Sequence, residues 1–97
     1  MGTVRRVQSV RRAEFKRQLQ SLPPEIQHRA REAYRLFLQN PFHPSFRRRI
    51  VESTRHWERP HWEFRITRAY RATCMIDGNT YVWVFIGHHK DFDRFYG

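Results

Sequence analysis

The sequence predicts an α+β domain: an αα-hairpin packed on a mostly antiparallel sheet, in the order βααβββ(β). Three observations predict it. Apolar residues recur at helical spacing between Phe15 and Leu38, and they switch to strict alternation from Trp62 onward. Prolines and an Asp-Gly-Asn triplet mark the breaks between these patterns. The length of 97 residues allows one domain, assigned to residues 1–97, with one small core. Eight Phe, four Tyr and three Trp are enough to fill that core despite a mean hydropathy of −0.86.

Thr3 to Val10 carries Val4, Val7 and Val10 among Arg and Gln, and reads as a weak edge strand running into a helix. Helical spacing is expected from Ser9, which has the chemistry of an N-cap. Phe15, Leu19 and Leu22 then share one helix face. Pro23-Pro24 stops this helix and starts the next, because proline is tolerated in a first turn. Ile26, Ala30, Ala33, Tyr34, Phe37 and Leu38 form the apolar stripe of the second helix, which Asn40-Pro41 ends. So short a connection implies an antiparallel pair.

Pro41 to Ser45 reads as a loop, Phe46 to Ser53 as a further strand and Thr54 to Pro60 as a loop. Trp62, Phe64 and Ile66 alternate with Glu63, Arg65 and Thr67; Tyr70, Ala72, Cys74 and Ile76 alternate with Arg71, Thr73 and Met75. Asp77-Gly78-Asn79 is a hairpin turn signal. Tyr81, Trp83 and Phe85 alternate with Val82, Val84 and Ile86, so this strand is apolar on both faces and belongs in the sheet interior. After Gly87 the chain is expected to turn and end in a short tail.

Charge points to the partner. Nineteen basic residues against nine acidic ones give a net charge of +10, and all but Lys16 and Lys90 are arginine. Arginine suits bidentate contact with phosphate or carboxylate. Residues 1–71 carry the excess, whereas residues 72–97 hold Lys90 and Arg94 against three aspartates. With so few acids, part of the basic surface stays unpaired, which favours polyanion binding. Arg47, Arg48, Arg49 and Arg68 are candidates for RNA contact. Arg55 and Arg59 are others, and Trp57 between them is the candidate stacking platform. No apolar run approaches a membrane span, and the N-terminus shows no signal-peptide core, so the expectation is a cytoplasmic protein without a membrane role.

The alternation on the sheet places Glu63, Arg65 and Arg71 opposite the apolar set, within cross-strand reach of one another, with His88 and His89 directly after the last strand. An acid, two guanidiniums and a histidine can cleave RNA without a metal. A base takes the 2′-hydroxyl proton, guanidiniums hold the phosphate, and an acid protonates the leaving 5′-oxygen. The same spacing also fits a solvated sheet face with Glu–Arg pairs. His89 is the first candidate for the acid, His88 the second and Tyr96 the third. No HExxH or CxxC motif occurs, and adjacent histidines on an extended segment point apart, so no metal or other cofactor is expected. Cys74 falls at a core-facing position and reads as a small buried hydrophobe.

Several segments together resemble RelE/ParE-type toxins of bacterial toxin–antitoxin systems. They are Leu22-Pro23-Pro24-Glu25-Ile26, Asn40 to Phe46, Trp62 to Ile66, Tyr70-Arg71-Ala72 and Ile86-Gly87-His88-His89, in the family's order and over nearly the whole chain. The resemblance implies a βααβββ fold and an antitoxin partner, here expected to offer an acidic segment. In the RelE branch it implies ribosome-dependent, metal-independent cleavage of mRNA; in the ParE branch it implies inhibition of DNA gyrase without nuclease activity. By position, Arg71 matches the phosphate-contacting arginine, Arg65 a basic position one strand earlier, and Glu63 a position held by a base or a lysine. His89, or His88 in another register, matches the basic residue after the last strand. Related nucleases often carry a tyrosine near the C-terminus; here Phe92 stands at the close position and Tyr96 is the nearest tyrosine. The retained Arg65, Arg71 and histidine set favours the mRNA endoribonuclease, with the gyrase inhibitor or an inactive relative as alternatives.

Overall fold

The computed structural model describes residues 7–97. Strand β1 (Gln8–Arg11) leads into helices α1 (Ala13–Gln20) and α2 (Pro24–Gln39). Short β2 (Arg49–Ile50), then β3 (His61–Arg65), β4 (Tyr70–Asp77) and β5 (Thr80–His88) follow, and helix α3 (His89–Tyr96) ends the chain. The sheet order is β1-β5-β4-β3-β2. Only β1 pairs in parallel, along β5; the other pairs are antiparallel. No helix among the described residues is long and apolar enough to cross a membrane.

The N-terminal expectation is corrected in detail. Thr3 to Arg6, including Val4, lie outside the described residues. Ser9 does not cap a helix: it sits in β1, where its hydroxyl accepts the Trp83 indole N–H at 2.7 Å. That bond and the parallel ladder to β5 hold Ser9 extended, and α1 starts at Ala13 with no side-chain cap at Arg12. Pro24 occupies the first turn of α2, and the Gln27 amide donates to the carbonyls of Gln20 and Leu22 across the tight connection.

The hairpin buries Phe15 and Phe37 against Phe64, Ala72, Cys74, Tyr81, Trp83 and Ile86. Phe37 meets Tyr81, Trp83 and Phe64 edge-on, with ring centroids 4.9, 5.3 and 5.8 Å away, a favoured aromatic geometry. The α2 stripe is rotated from the expected one: Leu36 packs on the core, while Tyr34 and Leu38 are exposed. Cys74 is fully buried, which pushes its thiol up to about 12.

Gly78 makes the β4–β5 turn with a φ of +62°, open to glycine at little cost. Further along, the alternation on β5 breaks. Cys74 pairs with Trp83 but Thr73 pairs with Phe85, so Val84 is an extra residue, a β-bulge. Beyond it the parity inverts. Ile86 joins the helical-hairpin core, and Phe85 turns to the opposite face, where Phe92 and Phe95 of α3 cover it. The expected turn at Gly87 and the short tail are therefore replaced by a strand to His88 and an amphipathic helix. Phe92, Phe95 and Tyr96 give that helix its apolar edge.

Candidate active site

The face of the sheet away from the helical hairpin carries the expected cluster. In the β3–β4 register Glu63 stands opposite Thr73 and Arg65 opposite Arg71, all pointing outward because Phe64 and Ala72 point inward. Gly87 on β5 lies opposite Arg71; a Cβ there would come within 3.0 Å of Phe85 Cζ, so the glycine keeps this corner open.

Arg71 is held from two sides. Its Nη1 donates to the carbonyls of Thr67, Arg68 and Tyr70 at 3.0–3.2 Å, which ties it to the β3–β4 turn. Its Nε lies 3.9 Å from the Glu63 carboxylate. Among the described residues Nη2 has no hydrogen-bond partner, and 22% of the Arg71 side chain stays exposed. Glu63 is 4% exposed and also accepts from Arg49 Nε across the β2–β3 pair.

Arg65 makes no ion pair among the described residues. Desolvation first, then repulsion from Arg47, Arg71 and Arg68, lowers its pKa from the usual arginine value. Arg47, Arg68 and Arg71 thus crowd Arg65, while the one nearby carboxylate, Glu63, is engaged by Arg49 and approached by Arg71. Such a cluster is relieved by an anion with oxygens to share, and a phosphodiester has that form.

Behind the cluster lies a second set. The Tyr96 hydroxyl is 2.5 Å from Thr73 Oγ1 and 2.8 Å from His61 Nδ1. Burial pushes the phenol up to about 12, only partly offset by the Thr73 bond, so it is protonated at neutral pH. Burial, then the charge of Arg12, lowers the His61 pKa from its ordinary value and favours the neutral ring. His61 was not anticipated as a site residue, although it shares the parity of Glu63 and Arg65 on β3. The sequence reading leaves Tyr96 in a short tail; the i, i+3, i+4 spacing of Phe92, Phe95 and Tyr96 is the signal for the helix that fixes it.

The two adjacent histidines do not join this face. His88 pairs with Tyr70 in the register and packs edge-on to it at 5.3 Å, on the Ala72–Ile86 side of the sheet. Its Nδ1 accepts the Lys90 N–H, capping α3. His89 is exposed, and its ring lies 4.3 Å from that of His88 rather than pointing apart, because extended backbone ends between them. Among the described residues neither forms a hydrogen bond or ion pair with Glu63, Arg65 or Arg71.

The expected RNA-binding set divides. Arg47 and Arg68 lie by the guanidinium cluster. Arg49 is committed to Glu63, Arg55 to Glu52 at 2.7 Å and Arg59 to Asp77 at 3.0 Å. Arg48 is enclosed by aromatic rings and donates to the Tyr81 hydroxyl at 3.0 Å. Trp57 is half-exposed, with its ring edge-on to His61 at 5.1 Å. No group of three or more His, Cys, Asp or Glu that could hold a metal ion occurs among the described residues.

Comparison with known proteins places this architecture. Residues 24–94 match the ParE-like toxin domain. No curated protein matches the chain. A chain of the RelB–RelE antitoxin–toxin complex from Methanococcus jannaschii is similar with a TM-score of 0.65 at 16% identity, covering 91% of this chain and 99% of that one. The RelBE2 complex from Mycobacterium tuberculosis gives 0.66 at 21% identity, with 86% and 98% covered. YafQ from E. coli gives 0.66 at 8% identity, with 89% and 97% covered. The matched region spans α2, every strand after β1 and most of α3, so the chain belongs to the ParE-like toxin domain family.

Proposed function

We propose that this toxin is an endoribonuclease that cuts mRNA on the ribosome without needing a metal ion. The observation that supports this reading is the convergence of Arg65 and Arg71 on the outward face, with Glu63 beside them and the Tyr96 hydroxyl behind. The fork edge of Arg71 and the guanidinium of Arg65 hold the scissile phosphate. The 2′-oxygen attacks phosphorus, and its proton passes to the Glu63 carboxylate. The bond from phosphorus to the 5′-oxygen breaks, and the Tyr96 phenol supplies the proton to that oxygen. His61, neutral and hydrogen-bonded to the phenol, positions it. The product is a 2′,3′-cyclic phosphate and a 5′-hydroxyl. The histidines that the sequence favoured as acids take no part in this scheme.

The ribosome is the surface that the remaining positive charge fits, since its RNA is a dense polyanion. The partner that silences the toxin is proposed to be an antitoxin with an acidic amphipathic segment. A cleft of about 480 Å³ between α2 and the sheet has Phe15, Phe37 and Trp83 in its lining and Arg11, Arg31 and Arg35 along it. An apolar stripe flanked by carboxylates is complementary to that lining.

Purified toxin, a programmed translation system and end-analysis of the RNA test the cleavage reading. Cyclic or 3′-phosphate ends support it, and 3′-hydroxyl ends overturn the 2′-hydroxyl route. Inhibition of DNA gyrase is the second reading, favoured by the match to the ParE-like model and by the position of His88 off the working face. Loss of supercoiling activity with intact mRNA would establish it in place of the first.

A further inference from the structure

A second concave site lies at the β2 edge of the sheet, lined by Phe42, His43, Pro44, Arg47, Arg48 and Trp62. Phe42 is 69% exposed, an unusual position for a large apolar ring. One face of that ring is taken by the Arg48 guanidinium, 4.1 Å from its centroid. Arg48 in turn faces Phe64 and Tyr81 and donates to the Pro41 carbonyl and the Tyr81 hydroxyl, so it is anchored in the fold. The exposed ring therefore stands on a rigid cationic base.

The rim is polar and positive. His43 Nδ1 accepts the Ser45 N–H, which leaves the ring proton on Nε2 as a donor. Arg47 has a left-handed backbone with a φ of +44°, an uncommon conformation for a residue with a Cβ. Arg47 lies two residues before the Arg49–Glu63 pair that ends the β2–β3 ladder, and it approaches Arg65. The two are close enough for mutual repulsion. Arg71 stands opposite Arg65 in the β3–β4 register, and Arg47, which Arg65 feels, lines this pocket.

We propose that the pocket receives an unpaired nucleobase of the RNA strand, stacked on the outer face of Phe42, while Arg47 holds the phosphate between that base and the cleavage site. This rests on the reading of the toxin as a nuclease and adds a site to it. An aromatic face accepts any base, a guanidinium track follows the backbone, and the combination is the general form of single-strand recognition. The elements that fix the pocket are independent of α3, so it is complete without the residues that protonate the leaving group.

The test is fluorescence anisotropy of the full-length toxin with a labelled eight-nucleotide 2′-O-methyl oligoadenylate, which lacks the attacking hydroxyl. Phe42→Leu keeps apolar bulk on Arg48 but removes the flat ring, and it should weaken binding about tenfold. Phe42→Trp should restore it. A probe of the same charge with abasic sugars should bind the wild type and Phe42→Leu equally. Equal affinity of wild type and Phe42→Leu for the oligoadenylate overturns the proposal, as does a loss that persists in full on the abasic probe. Weakened antitoxin binding by Phe42→Leu with unchanged oligonucleotide binding would assign the pocket to the protein partner instead. Cleavage plays no part in these measurements, so their failure is separate from failure of the nuclease reading, which the RNA ends report.

Discussion

The two faces of the sheet solve different problems with the same strands. The face under the helical hairpin is packed with interlocking rings, with Phe64 only 1% exposed at its centre, and opens to solvent at the cleft beside α2. The opposite face holds Glu63, Arg65, Arg71, Thr73 and Phe85, and the eight-residue helix α3 covers part of it. Burial of apolar area stabilises the first face without reference to any ligand. The second concentrates like charges, which costs stability and is useful only when an anion arrives. A single bulge at Val84 separates the two roles on β5, since it sends Ile86 to one face and Phe85 to the other.

The inner face is the more sensitive to a single substitution. Phe64→Ala removes a ring that packs against Phe37, Phe46, Tyr81 and Trp83, and should cost about 3–5 kcal/mol. In a domain of this size that is a large share of total stability. Chemical denaturation should show it directly; a loss below about 1 kcal/mol would mean that the inner face is loosely packed.

Arg71→Ala should have the reverse profile. Removing one charged donor to a developing phosphorane typically costs about 3 kcal/mol of barrier, or roughly a hundredfold in rate. The change relieves the repulsion on Arg65 but also removes the bonds to the β3–β4 turn, so the denaturation midpoint should move far less than in Phe64→Ala. Full toxicity at equal expression would take Arg71 out of the mechanism.

Tyr96→Phe joins the two properties. It deletes the hydroxyl shared by Thr73 and His61 and leaves the ring against Phe85. Stability should fall by about 1 kcal/mol. Cleavage should fall further than binding to the ribosome, because the phenol is the proton donor in the proposed scheme. Equal losses in both would reduce Tyr96 to a structural anchor of α3.

The smallest effect is on pH. The His61 pKa is lowered in the folded protein, so the unfolded chain binds more protons as pH falls below the ordinary histidine range near 6.5. Stability should be constant above that range and decline as pH falls through it toward the lower folded value. His61→Gln should flatten this segment of the curve. An unchanged slope in His61→Gln would assign the acid sensitivity to other groups.

Much of this arrangement was legible in the sequence, and the omissions have physical causes. The alternation of Trp62, Phe64 and Ile66 identified the inner face, and the same parity put Glu63, Arg65 and Arg71 together on the outer one. Asp77-Gly78-Asn79 located the hairpin because only a residue free to take positive φ makes that turn cheaply. The bulge was invisible because Val84, Phe85 and Ile86 are all apolar, so no polar residue marks the slip. With the slip missed, Phe85 lost its partners, and the Phe92–Tyr96 stripe had no surface to cover. The run Arg47-Arg48-Arg49 is uniform in sequence yet divides three ways in space: toward Arg65, into an aromatic enclosure and onto Glu63. Charge composition reports how many guanidiniums exist, and only tertiary pairing decides which remain available.

The outer face is proposed to cut translated RNA. Mapping mRNA 5′ ends after brief induction of the toxin in growing bacteria tests it most directly, with Arg71→Ala as the control. New 5′ ends are expected within translated reading frames, absent from the Arg71→Ala cells and suppressed when translation initiation is blocked. Growth arrest with intact mRNA and loss of DNA supercoiling would contradict it.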